Sequence, residues 1–186
     1  GIVYDASVIQ ADPKRTKRLI DVNLTSHFYT LHTFLPHMIR TNHGHVMSVA
    51  SAASFFMSAG HASYGGTKTA LLSLNETLRL ELDLLYRNRT GVHCSIVHPF
   101  ATKTALAKND FQKRYYDAMT EPYVVAKKMV DQLLSGQGAS LCVPGWIGHM
   151  VGIRVLPHSW QLRIRKYIHH EFTKRLIVGR PSPPMP

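Results

Sequence analysis

The chain has 186 residues, of which 45% are hydrophobic and 18% are charged, and its net charge is +11. This composition is typical of one compact domain and excludes a disordered, collagen-like or disulfide-stapled chain. The two cysteines lie in apolar stretches, which disfavours a cysteine-ligated zinc site and favours a reducing compartment. The longest apolar segment, residues 141–156, is too short and too interrupted to span a bilayer.

The first predicted element is a long amphipathic helix over residues 19–40, which Pro36 is expected to kink or shorten. Its apolar residues recur every three or four positions, as one face of a helix requires. They are Ile20, Leu24, Phe28, Leu31, Leu35 and Met38. A turn at residues 41–44 leads to a short, partly β-branched run at residues 45–51, which is typical of a buried strand.

A second helix is predicted at about residues 62–86, and its leucines nearly encircle it. A helix that is apolar on more than one face must pack on two sides. We therefore expect it to contact both the sheet and another subunit. Paired with the helix at residues 19–40, it is expected to form the self-complementary interface of a homodimer.

The second half of the chain continues the alternation of strands and helices. Strands are predicted at residues 92–98 and 139–143, with an irregular polar segment after the first of them. A helix at residues 122–134 begins with proline, which suits a first helical position. Short apolar strands that alternate with helices predict an α/β fold with a parallel sheet covered on both faces.

Residues 146–186 form a basic tail that follows the α/β unit at residues 1–145. The tail holds seven Lys and Arg residues against one Glu and so carries +6 of the net charge. An apolar stripe beside basic residues predicts contact with an anionic membrane surface, although a solvated face or packing on the domain explains the same pattern. The stripe is Trp160, Ile164, Tyr167 and Ile168, and the basic residues are Arg163, Arg165 and Lys166. No nucleic-acid partner is expected, because no binding motif accompanies the charge.

Tyr64 and Lys68 are the first candidates for chemistry. They lie four residues apart at the start of the second helix, where such side chains share a face. A neighbouring cation favours the phenolate and lowers the pKa of a phenol, which is about 10 in isolation. Because Tyr and Lys recur at this spacing by chance, the pair alone is weak support for a site.

Three further features strengthen the interpretation of Tyr64 and Lys68 as part of a functional site. Ser51 ends the first strand, and ligands of parallel sheets bind beyond the carboxyl ends of the strands. Asn23 lies mid-helix, a position that Asn disfavours, although a satisfied buried amide explains it equally well. Residues 99–104 leave the next strand at the same edge with two hydroxyls, or are simply a polar loop. The twelve histidines lack a nearby carboxylate or cysteine, so no metal site is expected.

Together, Asn23, Ser51, the Tyr64-x-x-x-Lys68 pair and the segment from Pro99 to Thr104 resemble the short-chain dehydrogenase/reductase family. The resemblance runs from Gly1, which is similar to the last glycine of an Asn-Asn-Ala-Gly strand end, to about residue 145. It implies the catalytic, C-terminal part of a Rossmann-like doubly wound sheet. Within the family, the retinol and 17β-hydroxysteroid dehydrogenase branch is the most similar. The motifs that carry this are Asp21-Val22-Asn23-Leu24, Phe34-Leu35-Pro36-His37-Met38, Ala50-Ser51 and Pro99-Phe100.

The resemblance implies an NAD- or NADP-dependent oxidoreductase in which Tyr64 exchanges a proton with the substrate oxygen. Lys68 would lower the pKa of Tyr64 and hold the nicotinamide ribose. Ser51 would orient the substrate oxygen, and Asn23 would position a water that links Lys68 to solvent. The nicotinamide carboxamide would be bound by Pro99, Thr102 and Thr104.

The same resemblance implies a lipophilic alcohol or its carbonyl as substrate. Phe55, Phe56, Met57 and residues 105–119 are candidates to line an apolar pocket, although core packing explains each of them individually. An intracellular location is expected, either cytoplasmic or peripheral on an internal membrane such as the endoplasmic reticulum.

The sequence departs from the family pattern in two places. No Gly-x-x-x-Gly-x-Gly occurs in it, so the turn that binds pyrophosphate and the residue that selects NAD or NADP are missing. Phe100 stands where most members have glycine. We therefore expect a fragment of a longer enzyme or a truncated product. The alternative function is a non-catalytic, truncated homologue that acts as a dimerisation or regulatory partner.

Overall fold

The computed structural model describes residues 1–57, 59–86, 91–106 and 119–173, with the main chain alone for 169–173. Three parallel strands form one sheet in the order β1 (Gly44–Val49), β2 (Val92–Pro99) and β3 (Ser140–Val143). Val46 of β1 lies opposite Cys94 of β2, and Val97 of β2 lies opposite Leu141 of β3. The predicted parallel sheet is confirmed.

Five α-helices lie in the described ranges. They are α1 (Pro13–Ile20), α2 (Ser26–Thr41), α3 (Ala62–Leu85), α4 (Pro122–Leu134) and α5 (His158–Thr173). The side chain of Asp12 caps α1 by accepting a hydrogen bond from the Lys14 amide at 2.8 Å. Asn42 ends α2 in the left-handed conformation, with φ 51°. The predictions for α3 and α4 are confirmed, the latter with the same bounds.

The first predicted helix differs from expectation. It is built from α1, a π-helical segment at Asp21–Thr25, and α2, which continues through Pro36. The predicted apolar face is also partly wrong, because Ile20 is 40% exposed and Phe28 is 51% exposed, whereas Leu19 and Asn23 are buried. The physical reason is the wider turn of the π segment, which changes the residues that face the sheet.

Helices cover both faces of the sheet, as predicted. On one face α2 and α3 pack on β2 around Leu78, Leu82 and Cys94. Because side chains alternate along a strand, Val97 points to the opposite face, where it packs with Val125 of α4 and Val143. The sheet is therefore buried on both sides, and its carboxyl edge is the edge at which ligands bind in such folds.

The outer faces of α2 and α3 carry exposed apolar side chains. In α2 they are Phe28, Tyr29 and Phe34, and in α3 they are Leu80, Leu84 and Leu85. The expectation that α3 is apolar on more than one face is therefore confirmed.

The segment after β3 forms a 3₁₀ turn region at Gly145–Val155, followed by α5. Ile147 is fully buried and packs with Ala52 and Phe55 beside the end of β1. On α5, Ile164 and Ile168 are partly buried, while Trp160 and Tyr167 are exposed. The four residues of the apolar stripe predicted for the tail therefore do not share one environment. Within the described ranges, no helix combines the length and apolar character that a bilayer crossing requires.

Candidate active site

Ser51 follows the last residues of β1 and caps a short 3₁₀ turn, Ala52–Ser54. Its Oγ accepts a hydrogen bond from the Ala53 amide at 3.2 Å and donates to the Pro99 carbonyl at 3.5 Å. Since β1 and β2 are parallel neighbours, their carboxyl ends meet, and the Ser51 hydroxyl lies between them. The Ser51 hydroxyl therefore lies at the end of β1, as the sequence predicted.

Buried hydrogen bonds fasten this turn to α3. The hydroxyl of Ser54, which is fully buried, donates to the Lys68 carbonyl at 2.8 Å. The Thr69 hydroxyl donates to the Ser54 carbonyl at 3.1 Å. These contacts bring Ser51 to the first turns of α3, where Tyr64 and Lys68 lie.

The Tyr64 phenol lies near the Ser51 side chain, which acts on its pKa. Burial raises the pKa of the Tyr64 phenol, and the neighbouring Ser51 hydroxyl acts in the opposite direction. The Lys68 Nζ lies 5.7 Å from the centre of the Tyr64 ring. The net direction of the pKa change is therefore opposite to the lowering expected from Lys68, because the loss of solvent around the phenol has the larger effect.

Lys68 is only 7% exposed, and its Nζ donates to the Val49 carbonyl at 3.0 Å. Burial lowers the pKa of Lys68 to about 8. On α2, His27 faces this ammonium group; burial first, and then the charge of Lys68, lower the pKa of His27. The carboxyl edge thus holds a cation that is partly discharged in mildly alkaline solution.

Asn23 lies in the π segment and is 1% exposed. Its Oδ1 accepts from the Ile2 amide at 2.8 Å, and its Nδ2 donates to the Ile2 carbonyl at 2.7 Å. The Asn23 side chain is therefore a buried amide with its hydrogen bonds satisfied, which is one of the two interpretations that the sequence allowed. Its water-positioning role stays a prediction.

Gly1 lies close to both Asn23 and Lys68. A Cβ at Gly1 would lie 2.9 Å from the Asn23 Oδ1 and 3.8 Å from the Lys68 Nζ. A side chain at this position would therefore displace the Asn23 amide. Glycine allows the first segment to approach Asn23 this closely.

The residues from Pro99 to Thr104 have different environments. Pro99 contacts Ser51 through its carbonyl, whereas Thr102 directs its hydroxyl to the Phe100 carbonyl at 2.9 Å and Thr104 is exposed. Phe100 continues the parallel pairing through a 2.8 Å hydrogen bond from its amide to the Val143 carbonyl. Pro99 therefore contacts Ser51, whereas the Thr102 hydroxyl bonds within its own segment and Thr104 is exposed.

The candidate pocket residues have different environments. Phe55 is buried and belongs to the core, which favours the packing interpretation for it. Phe56 is partly buried and lies under the guanidinium of Arg165, 5.3 Å from the ring centre. Met57 packs on α3, because a Cβ at Gly65 would lie 2.7 Å from the Met57 Cγ. Of the predicted pocket segment, residues 107–118 lie outside the described residues.

Two contacts of this region were missed at the level of sequence. His98, in β2, brings Nδ1 to 3.2 Å from the Ser51 carbonyl. Arg154 donates from Nε to the Phe55 carbonyl at 3.1 Å and from a terminal nitrogen to the Ser54 carbonyl at 2.9 Å. A histidine directly before Pro99, at the carboxyl end of a strand, was a signal for the first. No local signal marks Arg154, which lies a hundred residues from Ser54 in sequence.

The parallel α/β sheet with these groups at its carboxyl edge is Rossmann-like, and comparisons with known proteins agree. Residues 1–115 match the family model described as short chain dehydrogenase. The chain belongs to the short-chain dehydrogenase family. A crystal structure of gluconate 5-dehydrogenase from Burkholderia cenocepacia, in complex with NADP and tartrate, is similar with a TM-score of 0.63 at 19% identity, over 80% of this chain and 62% of that one. This likeness confirms the predicted fold.

Two curated relatives are steroid dehydrogenases by name. Estradiol 17-beta-dehydrogenase 11 of Rattus norvegicus is 30% identical over 96% of this chain and 58% of its own length. 17-beta-hydroxysteroid dehydrogenase 13 of Mus musculus is 28% identical over 79% of this chain and 47% of its own length. The chain thus spans about half the length of these relatives. Both names agree with the predicted branch of the family.

Proposed function

We propose that this chain carries the catalytic residues of an NAD- or NADP-dependent oxidoreductase that interconverts a lipophilic alcohol and its carbonyl. The observation that carries the proposal is the cluster of Ser51, Tyr64 and Lys68 at the carboxyl edge of the sheet, where the Lys68 ammonium lies 5.7 Å from the Tyr64 ring and the Ser51 side chain lies near the phenol. Membership of the short-chain dehydrogenase family supports it.

In the oxidation, Tyr64 as phenolate takes the proton of the substrate hydroxyl while the carbon of that hydroxyl loses a hydride, so that the C–O bond becomes C=O. In the reduction, Tyr64 as phenol returns the proton to the oxygen. Ser51 donates to the same oxygen and stabilises the charge that develops on it. The positive charge of Lys68 favours the phenolate of Tyr64.

The residues present fit the nicotinamide-ribose end of a dinucleotide. Lys68 is a buried ammonium group whose remaining donors suit ribose hydroxyls, and Gly1 leaves the space beside it free of a side chain. Pro99, the last residue of the adjacent strand, and Thr102 and Thr104, which follow it, are proposed to hold the carboxamide. When bound, NAD or NADP accepts or supplies the hydride.

A lipophilic substrate is supported by the residues around Ser51 and by the names of the relatives. Phe56 and Met57 follow Ser51, and the Phe100 ring packs edge-on against Trp146 at 5.4 Å between ring centres. Trp146 remains half exposed. Steroid dehydrogenases among the relatives favour a hydrophobic secondary alcohol over a sugar.

Self-association and membrane contact belong to the same proposal. The exposed apolar faces of α2 and α3 support a homodimer that buries them. Exposed Trp160 and Tyr167 on α5, near Arg163 and Lys166, support peripheral contact with an anionic internal membrane.

The test is a titration of the protein with NAD and NADP, followed by turnover assays on a hydrophobic secondary alcohol, a retinoid and a sugar. Lys68→Ala is expected to weaken cofactor binding and turnover together, because the ribose contacts and the charge near Tyr64 are both lost. Lys128→Ala on the exposed side of α4 is the matched control and is expected to change neither. Equal cofactor affinity in the two variants would contradict the proposal.

A different outcome would favour the alternative function. If neither cofactor binds and the protein instead forms a stable complex with a complete homologue, a non-catalytic regulatory partner replaces the enzyme as the best interpretation.

A further inference from the structure

His98 is a fully buried histidine that the proposed reaction does not use. It is the penultimate residue of β2, and its relative exposure is 0%. Its Nδ1 lies 3.2 Å from the Ser51 carbonyl, and its ring centre lies 4.4 Å from that of Phe55. Among the described residues its Nε2 is the buried side-chain polar atom that has no hydrogen-bond partner.

We propose that His98 is a positioning residue for Ser51, which it holds by donating from Nδ1 to the Ser51 carbonyl. This inference rests on the function proposed above. A carbonyl oxygen only accepts, so Nδ1 carries the proton and Nε2 is bare. The neutral imidazole thus has one defined tautomer.

Two consecutive residues of β2 then hold both polar groups of Ser51. His98 binds the main-chain carbonyl, and the Pro99 carbonyl accepts from the hydroxyl at 3.5 Å. Phe55 braces the imidazole ring and so fixes the direction of Nδ1–H. An apolar side chain would fill the same space without leaving a buried Nε2 unpaired. The imidazole therefore points to a need for a rigid donor at Ser51.

The position of Ser51 acts on Tyr64, because the Ser51 side chain lowers the pKa of the phenol against the effect of burial. The titratable groups around the cluster are Lys68 from α3, His27 from α2 and Cys142, the register partner of His98 on β3. None of these is anionic near neutral pH, since burial raises the pKa of Cys142. Loss of the His98 donor is therefore expected to raise the pH at which Tyr64 ionises.

The experiment compares the pH profile of kcat/KM for alcohol oxidation in four variants of the whole protein. His98→Leu removes the donor and is expected to lower kcat/KM by about tenfold to a hundredfold and to shift the profile to higher pH, in the direction of Ser51→Ala. His98→Asn places Nδ2 where Nδ1 was and is expected to restore the wild-type profile. Ser95→Ala removes another buried side chain of β2, which bonds His45 and the Ala139 amide, and is expected to leave the profile unchanged.

A second measurement does not depend on activity. The ¹⁵N shifts of the His98 imidazole are expected to show the Nδ1–H tautomer. An Nε2–H tautomer, or an unshifted profile in His98→Leu, would overturn the inference. If Tyr64→Phe retains full turnover, the proposed function fails, whereas the ¹⁵N measurement still decides whether His98 holds Ser51.

Discussion

The carboxyl edge of the sheet and the outer surface of the molecule hold their functional candidates in different ways. At the edge, the side chains of Ser51, Lys68 and Asn23 each bond a main-chain group of another segment. On the surface, apolar side chains of α2 and α3 and basic side chains of the tail are largely open to solvent. The positions of main-chain groups are fixed by the fold, so the side chains at the carboxyl edge have a defined geometry before any ligand binds. The exposed side chains of α2, α3 and the tail become ordered only when they contact a partner or a membrane.

The sharpest test of the buried edge is Tyr64→Phe. In an enzyme that holds both halves of the cofactor site, this substitution keeps the ring and removes the transferable proton, so kcat is expected to fall by roughly 10²–10⁴-fold while cofactor affinity stays near that of the wild type. Single-turnover assays and a cofactor titration measure the two quantities. Turnover close to that of the wild type would refute the assignment of Tyr64.

The second prediction concerns Lys68 and stability. Its pKa in the folded protein is about 8, below the ordinary lysine value of 10.5, so between these pH values the unfolded chain binds more protons. The free energy of unfolding therefore rises with pH in this window, by on the order of 3 kcal/mol from this group. Lys68→Met removes that contribution and is expected to be more stable than the wild type at pH 7.

Urea unfolding at pH 7, 9 and 10.5 measures the difference between Lys68→Met and the wild type. The advantage of the variant is expected to disappear by pH 10.5, because Lys68 is then neutral in the folded protein at little cost. A difference that does not change with pH would show that burial of the charge is not the cause.

On the surface, Leu84→Glu in α3 tests the proposed homodimer. A charge in the centre of a buried apolar face is expected to weaken self-association by about 10–100-fold, which sedimentation velocity over a concentration series measures. Leu134→Glu in α4 is the matched control, since Leu134 is even more exposed and lies on the other side of the sheet. Equal dissociation constants in the two variants would contradict a dimer through α3.

Arg154 joins the two regions, because this exposed side chain of the C-terminal segment bonds the turn after Ser51. Arg154→Met is expected to lower the free energy of unfolding by about 1–2 kcal/mol, through the loss of two hydrogen bonds. It is also expected to increase hydrogen exchange at residues 52–55. Arg163→Met, which removes an exposed guanidinium of α5, serves as the control, and identical exchange in both variants would exclude a role for Arg154 in ordering the turn.

The smallest expected effect lies in the tail. Arg163→Gln is expected to weaken binding to anionic vesicles by about 1 kcal/mol, roughly fivefold, since one basic residue near a charged leaflet contributes about that much. Vesicle flotation at fixed lipid composition measures it, with Lys128→Gln as the control. Unchanged flotation in Arg163→Gln would leave packing on the domain as the explanation of the basic tail.

The same contrast explains how much the sequence predicted. The positions of Ser51, Tyr64 and Lys68 were predictable because each lies near the end of a regular element, where local spacing determines position, whereas their catalytic roles stay predictions. The mutual bonding of Asn23 and Ile2 was not found, because it joins segments with no shared local pattern. The stacking of Arg165 on Phe56 was missed for the same reason. Contacts between distant segments are determined by packing, which periodicity does not record.

The π segment at Asp21–Thr25 has a geometric consequence for the helix that follows. Asn23, His27, Leu31 and Leu35 all face inward at a uniform spacing of four residues. In a regular α-helix, twelve residues rotate by about 1200°, so Asn23 and Leu35 would point about 120° apart. One additional residue in a wide turn removes about 100° of that divergence. Deleting a single residue there would rotate the outer face of α2 relative to Asn23, so the orientation of the candidate site and that of the exposed apolar face of α2 are linked through one angle.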